Sequence, residues 1–247
     1  LRLVLDGSAD GAWNMAVDEA LWHVAGEENV PVLRLYGWMP ATVSLGYFQA
    51  ASTRETHPRS SEAPWVRRAT GGGAIVHDCE LTYCLVWPLQ GAAAPPTVAG
   101  KMYRLVHQVF QEVLTRRGCR LTLWDGPKTR SRDRGFPYLC FQRRSPGDGL
   151  IGPHKVLGSA QRRNRYALWQ HGSLLWRASD YAPELPGVAD LEGWSGNSRE
   201  IGSSWGGHLA QALGCRLVPS KLGEWERRIA DKLRREKYGS IRWNLRR

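Results

Sequence analysis

The sequence contains three successive glycines, Gly71, Gly72 and Gly73, which follow Arg68 in the stretch RRATGGGA (67–74). Because glycine has no Cβ, the backbone of such a run can approach a ligand closely, and its N–H groups can point at an oxygen atom or a flat group. The alternative is a flexible hairpin turn. The GKS or GKT ending of a phosphate-binding loop and the GxGxxG pattern of a dinucleotide site are both absent. The run is therefore either a flexible hairpin turn or a ligand-binding loop that belongs to neither of these two nucleotide-binding classes.

Cys140 lies in the segment YLCFQRR, between a basic stretch and a connection rich in Gly and Pro. A thiol becomes a nucleophile when positive charge stabilises its thiolate, and Arg143, Arg144 and Lys155 can supply that charge. Cys84 differs, because it lies in the apolar run TYCLVW. The alternative for Cys140 is a small core residue on a strand.

Lys155 begins KVLGSAQ, where small side chains leave space beside a strand. A lysine in this position can hold a carbonyl or carboxylate oxygen. A solvated lysine at a strand edge is the alternative.

His77 in IVHD and His171 in QHGS each end or interrupt a strand-like run. Either imidazole can act as a general base, and a hydrogen-bonded structural histidine is the alternative for both. No Ser-His-Asp order and no paired-histidine metal spacing can be built around them from the sequence.

The elements that would position these residues alternate between helices and groups of strands. Apolar spacing predicts a helix capped by Asp10 and ended by Gly26, and a second from Thr97 to Gly118. Further helices are predicted near 204–213 and 222–237. Predicted strands are VLRLYGW, TVSLGYF, AIVH, LTYCLVW, RLTLW, YLCFQ, CRLV and a hairpin of HKVLGSAQRR with RYALWQHGSLLW near Asn164. The pattern predicts an α+β fold with a mixed, largely antiparallel sheet flanked by helices.

The 247 residues, of which 42% are hydrophobic, are predicted to form one domain, 1–247. No apolar run approaches the roughly 18 residues of a membrane helix, and the acidic start is unlike a signal peptide. Five cysteines without a C-x-x-C pair indicate reduced thiols in a cytoplasmic protein rather than disulfides or structural zinc.

The formal charge of +11 favours an acidic partner. Residues 125–137 are predicted to form a mobile basic loop, and the loop is a candidate docking surface through Lys128, Arg130, Arg132 and Arg134. The alternative is that these side chains reflect an Arg-rich composition and face solvent without a partner.

Five segments, in order along nearly the whole chain, resemble the lipoate/octanoate branch of the biotin–lipoate protein ligase family. They are GAWNMAVDEALW, LRLYGWMPATVSLGYFQ, VRRATGGGAIVHDCELTY, KVLGSAQRR and QHGSLL. The resemblance implies a catalytic domain of this family's fold, with an acyl chain held between the Gly-rich loop and the lysine strand.

Members of this branch differ in chemistry: ligases activate a free acid with ATP, whereas octanoyltransferases form a cysteine thioester. Within this branch the chain most resembles octanoyltransferases of ligase-like sequence, in which the nucleophilic cysteine precedes Phe and stands fifteen residues before the lysine. Cys140-Phe141 and Lys155 have this spacing, and the Arg-Asn-Asp stretch that is typical of ligases is absent. The ending KYGSIRWNLRR also leaves no C-terminal accessory domain in this prediction. Gly73 instead favours a ligase, since glycine is common at this position in ligases and the nearest transferases often carry Arg there.

The resemblance implies that Cys140 takes octanoate from acyl carrier protein, or from an octanoylated H protein, and passes it to a lysine of a lipoyl domain or H protein. Lys155 would lower the pKa of the thiol, and N–H groups around Gly71–Gly73 or Gly158–Ala160 would stabilise the oxyanion. The implied substrate-binding residues are Arg68, Gly71, Gly72, Gly73, His77, Gly158, Ser159, Ala160, His171 and Gly172. No cofactor, metal or membrane is expected to take part.

Two alternatives have different requirements. An ATP-dependent lipoate–protein ligase would need ATP and Mg²⁺. A basic nucleic-acid-binding module would explain the charge but not the glycine run or the spacing of Cys140 and Lys155, and no nucleic-acid-binding motif is present.

Overall fold

A computed structural model describes residues 1–89, 97–129 and 136–246. The strands are β1 (Arg2–Ala9), β2 (Val32–Trp38), β3 (Thr42–Leu45), β4 (Trp65–Arg67), β5 (Ile75–His77), β6 (Glu80–Pro88), β7 (Thr122–Leu123), β8 (Gly149–Ile151), β9 (His154–Arg163), β10 (Ala167–Leu175) and β11 (Val218–Ser220). The helices are α1 (Gly11–Glu28), α2 (Pro58–Ser61), α3 (Thr97–Thr115), α4 (Val188–Glu192), α5 (Ser198–Ala212), α6 (Glu224–Leu233) and α7 (Ile241–Asn244).

Eight strands form one sheet in the order β11-β1-β2-β6-β10-β9-β8-β7. β1 is parallel to both β11 and β2, with Arg2 opposite Val218 and Val32, and the remaining pairs of this sheet are antiparallel. A smaller sheet has the order β4-β3-β5. The predicted α+β fold with a mixed, largely antiparallel sheet is confirmed.

Helices pack against both faces of the large sheet. Because successive residues of a strand point to opposite faces, one strand contributes to two cores. On β2, Leu33 and Leu35 belong to a core shared with α3 and α5. Val32, Tyr36 and Trp38 belong to a second core, shared with α1 and α6. Within the described ranges, no helix is long and apolar enough to cross a bilayer.

The first helix runs past its predicted end. Asp10 caps it as predicted, accepting a hydrogen bond from the Trp13 N–H, but the helix continues through Gly26 to a left-handed residue, Asn29, with φ of 56°. A glycine inside a helix costs only about 1 kcal/mol. Gly26 offsets that cost by close packing, since a Cβ there would lie 3.0 Å from the Cβ of Tyr166.

Several predicted strands are shorter than expected, and one is wrong. YLCFQ is not a strand: Cys140–Gln142 form a 3-10 turn, and the only bridge in this segment joins Leu139 to Ala74. In CRLV only Val218 is in a strand, TVSLGYF stops at Leu45, and RLTLW keeps two strand residues. The second helix ends at Thr115, before Gly118. In the predicted basic loop, Arg130, Arg132 and Arg134 lie outside the described residues.

Glu19 links α1 to the C-terminal part of the chain. Its carboxylate accepts hydrogen bonds from the Lys237 Nζ, at 2.6 Å, and from the Tyr238 hydroxyl. Burial raises the pKa of Glu19, but hydrogen bonds from His23, Lys237 and Tyr238 outweigh it and lower the pKa from 4.5 to about 2. A lowered carboxylate pKa stabilises the fold above the unfolded pKa, and this stabilisation is lost as the pH falls toward 2.

We expect Glu19→Gln to lower the free energy of unfolding by about 2–3 kcal/mol at pH 7. The difference from the unmutated protein should shrink as the pH falls from about 4.5 toward 2, because the unfolded chain then binds a proton at Glu19 that the folded protein does not bind. Urea unfolding at pH 7 and pH 3.5 measures both. Glu224→Gln is the matched control, since Glu224 pairs with Arg228 on the exposed surface. Equal stability of Glu19→Gln and the unmutated protein at pH 7 would contradict the expectation.

Candidate active site

A cavity lies between the two sheets and is partly walled by Met15 of α1. The small sheet contributes Ser44, Ile75 and His77 to its walls. Nine of the twelve predicted site residues line it, namely Arg68, Gly72, His77, Cys140, Gly158, Ser159, Ala160, His171 and Gly172. The remaining three are adjacent to it: Gly71 and Gly73 flank Gly72 in the sequence, and the Lys155 Nζ lies 3.5 Å from the Cys140 carbonyl oxygen. The structure therefore brings the sequence-predicted residues together.

The Cys140 thiol is placed by a turn, and its environment favours the thiolate. The Cys140 N–H donates to the Ala74 carbonyl at 2.7 Å, which ties the turn to the end of the glycine run. Burial raises the pKa of the thiol, but Lys155, Arg68 and the Gly73 N–H together lower it below its ordinary value. The prediction for Lys155 is consistent with this arrangement. The role of Arg68 beside the thiol was missed from the sequence.

The two other arginines proposed as thiolate partners are held by backbone oxygens. The Arg143 Nε donates to the Pro137 carbonyl at 2.6 Å, and Arg144 donates to the Pro153 carbonyl at 2.8 Å. The main positive charges acting on the thiol pKa are those of Lys155 and Arg68.

Lys155 is 7% exposed, so it is not a solvated lysine at a strand edge. Its Nζ lies 2.8 Å from the Asp148 Oδ2 and 3.5 Å from the Cys140 carbonyl oxygen. The other oxygen of Asp148 accepts from the Tyr103 hydroxyl at 2.6 Å. Asp148 and Tyr103 were missed from the sequence; the available signal was a single acidic residue in a Gly/Pro-rich connection seven positions before Lys155.

Arg68 fixes the shape of the glycine loop from inside. Its guanidinium donates to the carbonyl oxygens of Gly71 and Gly73, both at 2.7 Å, and to that of Ser44 at 2.8 Å. Because Arg68 is 2% exposed, burial lowers its pKa to about 10. The structure thus shows Arg68 holding the loop and contributing a buried charge near Cys140.

Gly72 occupies a position that only glycine fits. Its φ is +100°, and a Cβ there would lie 2.8 Å from the Arg68 Nη2 and 3.7 Å from the Cys140 Sγ. A Cβ on Gly46 would lie 2.0 Å from the Gly72 carbonyl oxygen, so the loop after β3 leans directly on the glycine loop. The run is therefore a constrained loop rather than a flexible turn.

We expect Gly72→Ala to slow the reaction of the Cys140 thiol with iodoacetamide at pH 7 by roughly tenfold, because the new methyl group strains the backbone and displaces Arg68, one of the charges that favour the thiolate. The rate of modification, located by peptide mapping, measures this. Gly118→Ala is the matched control: Gly118 also has a positive φ, of 87°, but a Cβ there would meet nothing within 4 Å. Gly118→Ala should lose about 1 kcal/mol of stability and leave the modification rate of Cys140 unchanged. An unchanged rate in Gly72→Ala would contradict the expectation.

His77 is held in a chain of buried polar groups. Its Nδ1 donates to the Glu80 carboxylate at 2.6 Å, and its Nε2 lies 2.8 Å from the Ser44 hydroxyl, which lines the cavity. The Arg68 Nη1 donates to the same hydroxyl at 3.1 Å. An acid–histidine–hydroxyl arrangement therefore exists, which the sequence did not indicate: Glu80 lies three residues after His77, but Ser44 reaches His77 only because β3 pairs with β5.

His171 is held in a similar chain on the other side. Its Nδ1 lies 3.1 Å from the Asp18 carboxylate, and its Nε2 lies 2.6 Å from the Thr70 hydroxyl. Burial lowers the pKa of His171, against the raising effect of Asp18. The imidazole links α1 to the start of the glycine run, which is a structural role that the sequence left open beside general-base chemistry.

His107 is a further buried imidazole at the site that sequence analysis missed. Its Nδ1 donates to the Gly147 carbonyl and its Nε2 lies 2.6 Å from the Ser159 hydroxyl. Burial lowers its pKa to about 4, so it is neutral at pH 7. Its position in the helix was the available signal for its burial: His107 follows Val106 and lies three residues before Phe110, and both of these face inward.

Comparison with known proteins identifies the family. Residues 10–182 match the family described as lipoyl protein ligase A/B catalytic domain. The chain belongs to this family. It is 33% identical to octanoyltransferase LipM of Kyrpidia tusciae, over 99% of this chain and 98% of that protein. It is 32% identical to octanoyltransferase LipM of Symbiobacterium thermophilum, over 99% and 98%.

Solved structures of this lipoyl protein ligase family share the fold. A lipoate protein ligase structure from T. acidophilum superposes with a TM-score of 0.80 at 21% identity, covering 100% of this chain and 99% of that one. Lipoate-protein ligase A bound with ATP gives 0.78 at 21% identity, covering 99% and 98%. The full-length similarity to octanoyltransferases confirms the predicted family and the predicted acyltransferase class, and it favours the octanoyltransferase over the ligase.

Proposed function

We propose that this member of the lipoyl protein ligase A/B family transfers an octanoyl group through a thioester on Cys140 to a lysine of a lipoyl domain or of H protein, in protein lipoylation. The donor is octanoyl-acyl carrier protein or an octanoylated H protein, and no cofactor is used. The observation that carries the proposal is the position of Cys140 in the cavity wall, against the glycine run and beside the buried cations Lys155 and Arg68. These charges lower the pKa of the thiol.

In the first step, the Cys140 thiolate attacks the carbonyl carbon of the donor thioester. The new C–S bond forms as the donor's C–S bond breaks, and the donor thiolate leaves and takes a proton from solvent. The Gly73 N–H faces the sulfur, so the glycine loop, rather than residues 158–160, is the better placed donor to the developing oxyanion. The octanoyl chain would occupy the cavity, among Met15, Trp38, Ile75 and Phe141.

In the second step, the neutral amine of the acceptor lysine attacks the acyl-enzyme. The amide C–N bond forms, the Cys140 C–S bond breaks, and the amine loses its proton to solvent. The Cys140 thiolate is a good leaving group for the same reason that it is a good nucleophile, because Lys155 and Arg68 stabilise its charge.

Intact-mass analysis after incubation with octanoyl-acyl carrier protein tests the proposal. The expected result is one octanoyl group on Cys140, located by peptide mapping, which disappears when a lipoyl domain is added and appears on that domain's lysine. Formation of an adenylate from ATP and free octanoate, without a Cys140 thioester, would overturn it in favour of a ligase.

A further inference from the structure

The loop that follows β3, residues 46–49, is packed against the glycine run. The Tyr47 N–H donates to the Thr70 carbonyl at 2.8 Å, and Gly46 lies against the carbonyl of Gly72. Phe48 is 69% exposed, and its ring lies 3.9 Å from the Cβ position of Gly71. The exposed Phe48 ring thus lies against Gly71. The next residue, Gly72, lies beside the thiol, since a Cβ built on it would be 3.7 Å from the Cys140 Sγ.

The same loop is braced from the side away from the glycine run. The Arg67 Nη1 donates to the carbonyls of Gly46 and Gln49, at 3.0 and 2.6 Å. The Arg67 Nε donates to the Asn244 carbonyl at 2.9 Å, and the Trp243 indole donates to the Arg67 carbonyl at 2.8 Å. The loop is therefore fixed between the glycine run and α7, so Phe48 is presented from a rigid support.

Two arginines flank Tyr47, the residue before Phe48. The Arg246 guanidinium carbon lies 4.3 Å from the centre of the Tyr47 ring, and that of Arg162 lies 5.9 Å from it. Arg162 also donates to the Ala69 carbonyl at 2.8 Å, which places it beside the start of the glycine run. Tyr47, Phe48, Arg162 and Arg246 thus form an aromatic and cationic surface, here called the Phe48 rim.

We propose that the Phe48 rim is the surface on which an acidic, lysine-bearing acceptor domain docks. The proposal rests on the function proposed above. A lysine side chain offers only a four-carbon stem, so the backbone of the acceptor must come close to the Cys140 thioester and must contact whatever surrounds it. Aromatic and arginine side chains on a rigid support are typical of the few residues that dominate binding energy. The net charge of +11 favours an acidic occupant.

The two half-reactions separate acceptor docking from chemistry. Octanoylated enzyme is prepared with a small octanoyl thioester, checked by mass, and mixed with either a purified lipoyl domain or Nα-acetyl-lysine amide. We expect Phe48→Ala and Arg246→Glu each to raise the KM for the lipoyl domain by roughly tenfold. Reaction with the small amine should remain within about twofold of the unmutated enzyme.

Matched controls change the same types of residue on other helices, outside the Phe48 rim. Trp225→Ala removes another exposed aromatic ring, 58% exposed on α6, and Arg199→Glu reverses an exposed arginine at the start of α5. Neither should change the KM for the lipoyl domain by more than about twofold. The unmutated enzyme should lose affinity for the domain as salt rises from about 0.02 to 0.2 M, and Arg246→Glu should flatten this dependence.

Three outcomes would overturn the proposal. Unchanged KM in both rim variants would remove the rim from acceptor binding. Equal losses with the domain and the small amine would show a damaged site instead. A defect confined to acylation by octanoyl-acyl carrier protein would assign the rim to the donor. The first two outcomes are read on enzyme whose Cys140 thioester has been verified, and the third is read by comparing acylation by octanoyl-acyl carrier protein with acylation by the small thioester. Failure of the unmutated enzyme to form the thioester would count against the proposed function and not against the rim.

Discussion

Replacing Cys140 with alanine is expected to abolish octanoyl transfer, lowering the rate by roughly 10⁴-fold or more, because the proposed acyl-enzyme needs that sulfur. The change removes one atom at a partly exposed turn, and the turn's hydrogen bonds are made by backbone atoms. The free energy of unfolding should therefore change by about 1 kcal/mol or less. Transfer to a lipoyl domain and urea unfolding measure the two effects.

The other cysteines provide controls for Cys140→Ala. Cys84 is fully buried, so Cys84→Ala should cost stability while the folded protein still forms the acyl-enzyme. Substitution of Cys79, Cys119 or Cys215 should have no comparable catalytic effect. Transfer by Cys140→Ala at the unmutated rate would end the covalent mechanism.

Replacing Lys155 with alanine is expected to raise the pKa of the Cys140 thiol, because Lys155 is the largest contribution that lowers it. Each unit by which the pKa comes to exceed the working pH lowers the thiolate fraction about tenfold. Acylation should therefore slow at least about tenfold at pH 7 and recover part of the loss as the pH rises above the new pKa. The pH profile of iodoacetamide modification of Cys140 measures the shift directly.

Asp148 makes the Lys155 prediction sharper. The negative charge of Asp148 raises the pKa of Cys140, and without Lys155 it loses its ion-pair partner. The double variant Lys155→Ala with Asp148→Asn should thus have a lower Cys140 pKa than Lys155→Ala alone. Identical iodoacetamide profiles for the unmutated enzyme and Lys155→Ala would leave Lys155 with a positioning role only.

The sequence identified most of the cavity wall because its signals are local. The glycine run, the cysteine and the lysine each lie in a short stretch of sequence, and the residue types within that stretch were enough to predict a site residue. The partners were less visible: Asp148 lies in a connection with no periodicity. The hydroxyl groups paired with His77 and His171 come from Ser44 and Thr70, which are distant in the sequence. Such pairings depend on topology, which local spacing does not encode.

The same limit explains the errors in secondary structure. YLCFQ has the composition of a strand, but a short apolar segment can form either a strand or a turn, and tertiary contacts decide. Leu139 bridges Ala74, and the chain then turns so that the Cys140 N–H meets the Ala74 carbonyl. The parallel pairing of β1 with β11, from opposite ends of the chain, was equally invisible in local patterns.

The bracing of Arg67 by Trp243 and Asn244 also bears on how the protein is made. The ribosome produces Arg67 176 residues before Trp243 and 177 residues before Asn244. Until α7 leaves the ribosome, Arg67, which holds the loop at 46–49, lacks its contacts with Trp243 and Asn244. A nascent chain can therefore build most of its sheet before α7 is synthesised, but the loop at 46–49 gains its second support only when α7 packs against Arg67. Truncation before Trp243 should therefore yield folded protein in which this loop is less well held.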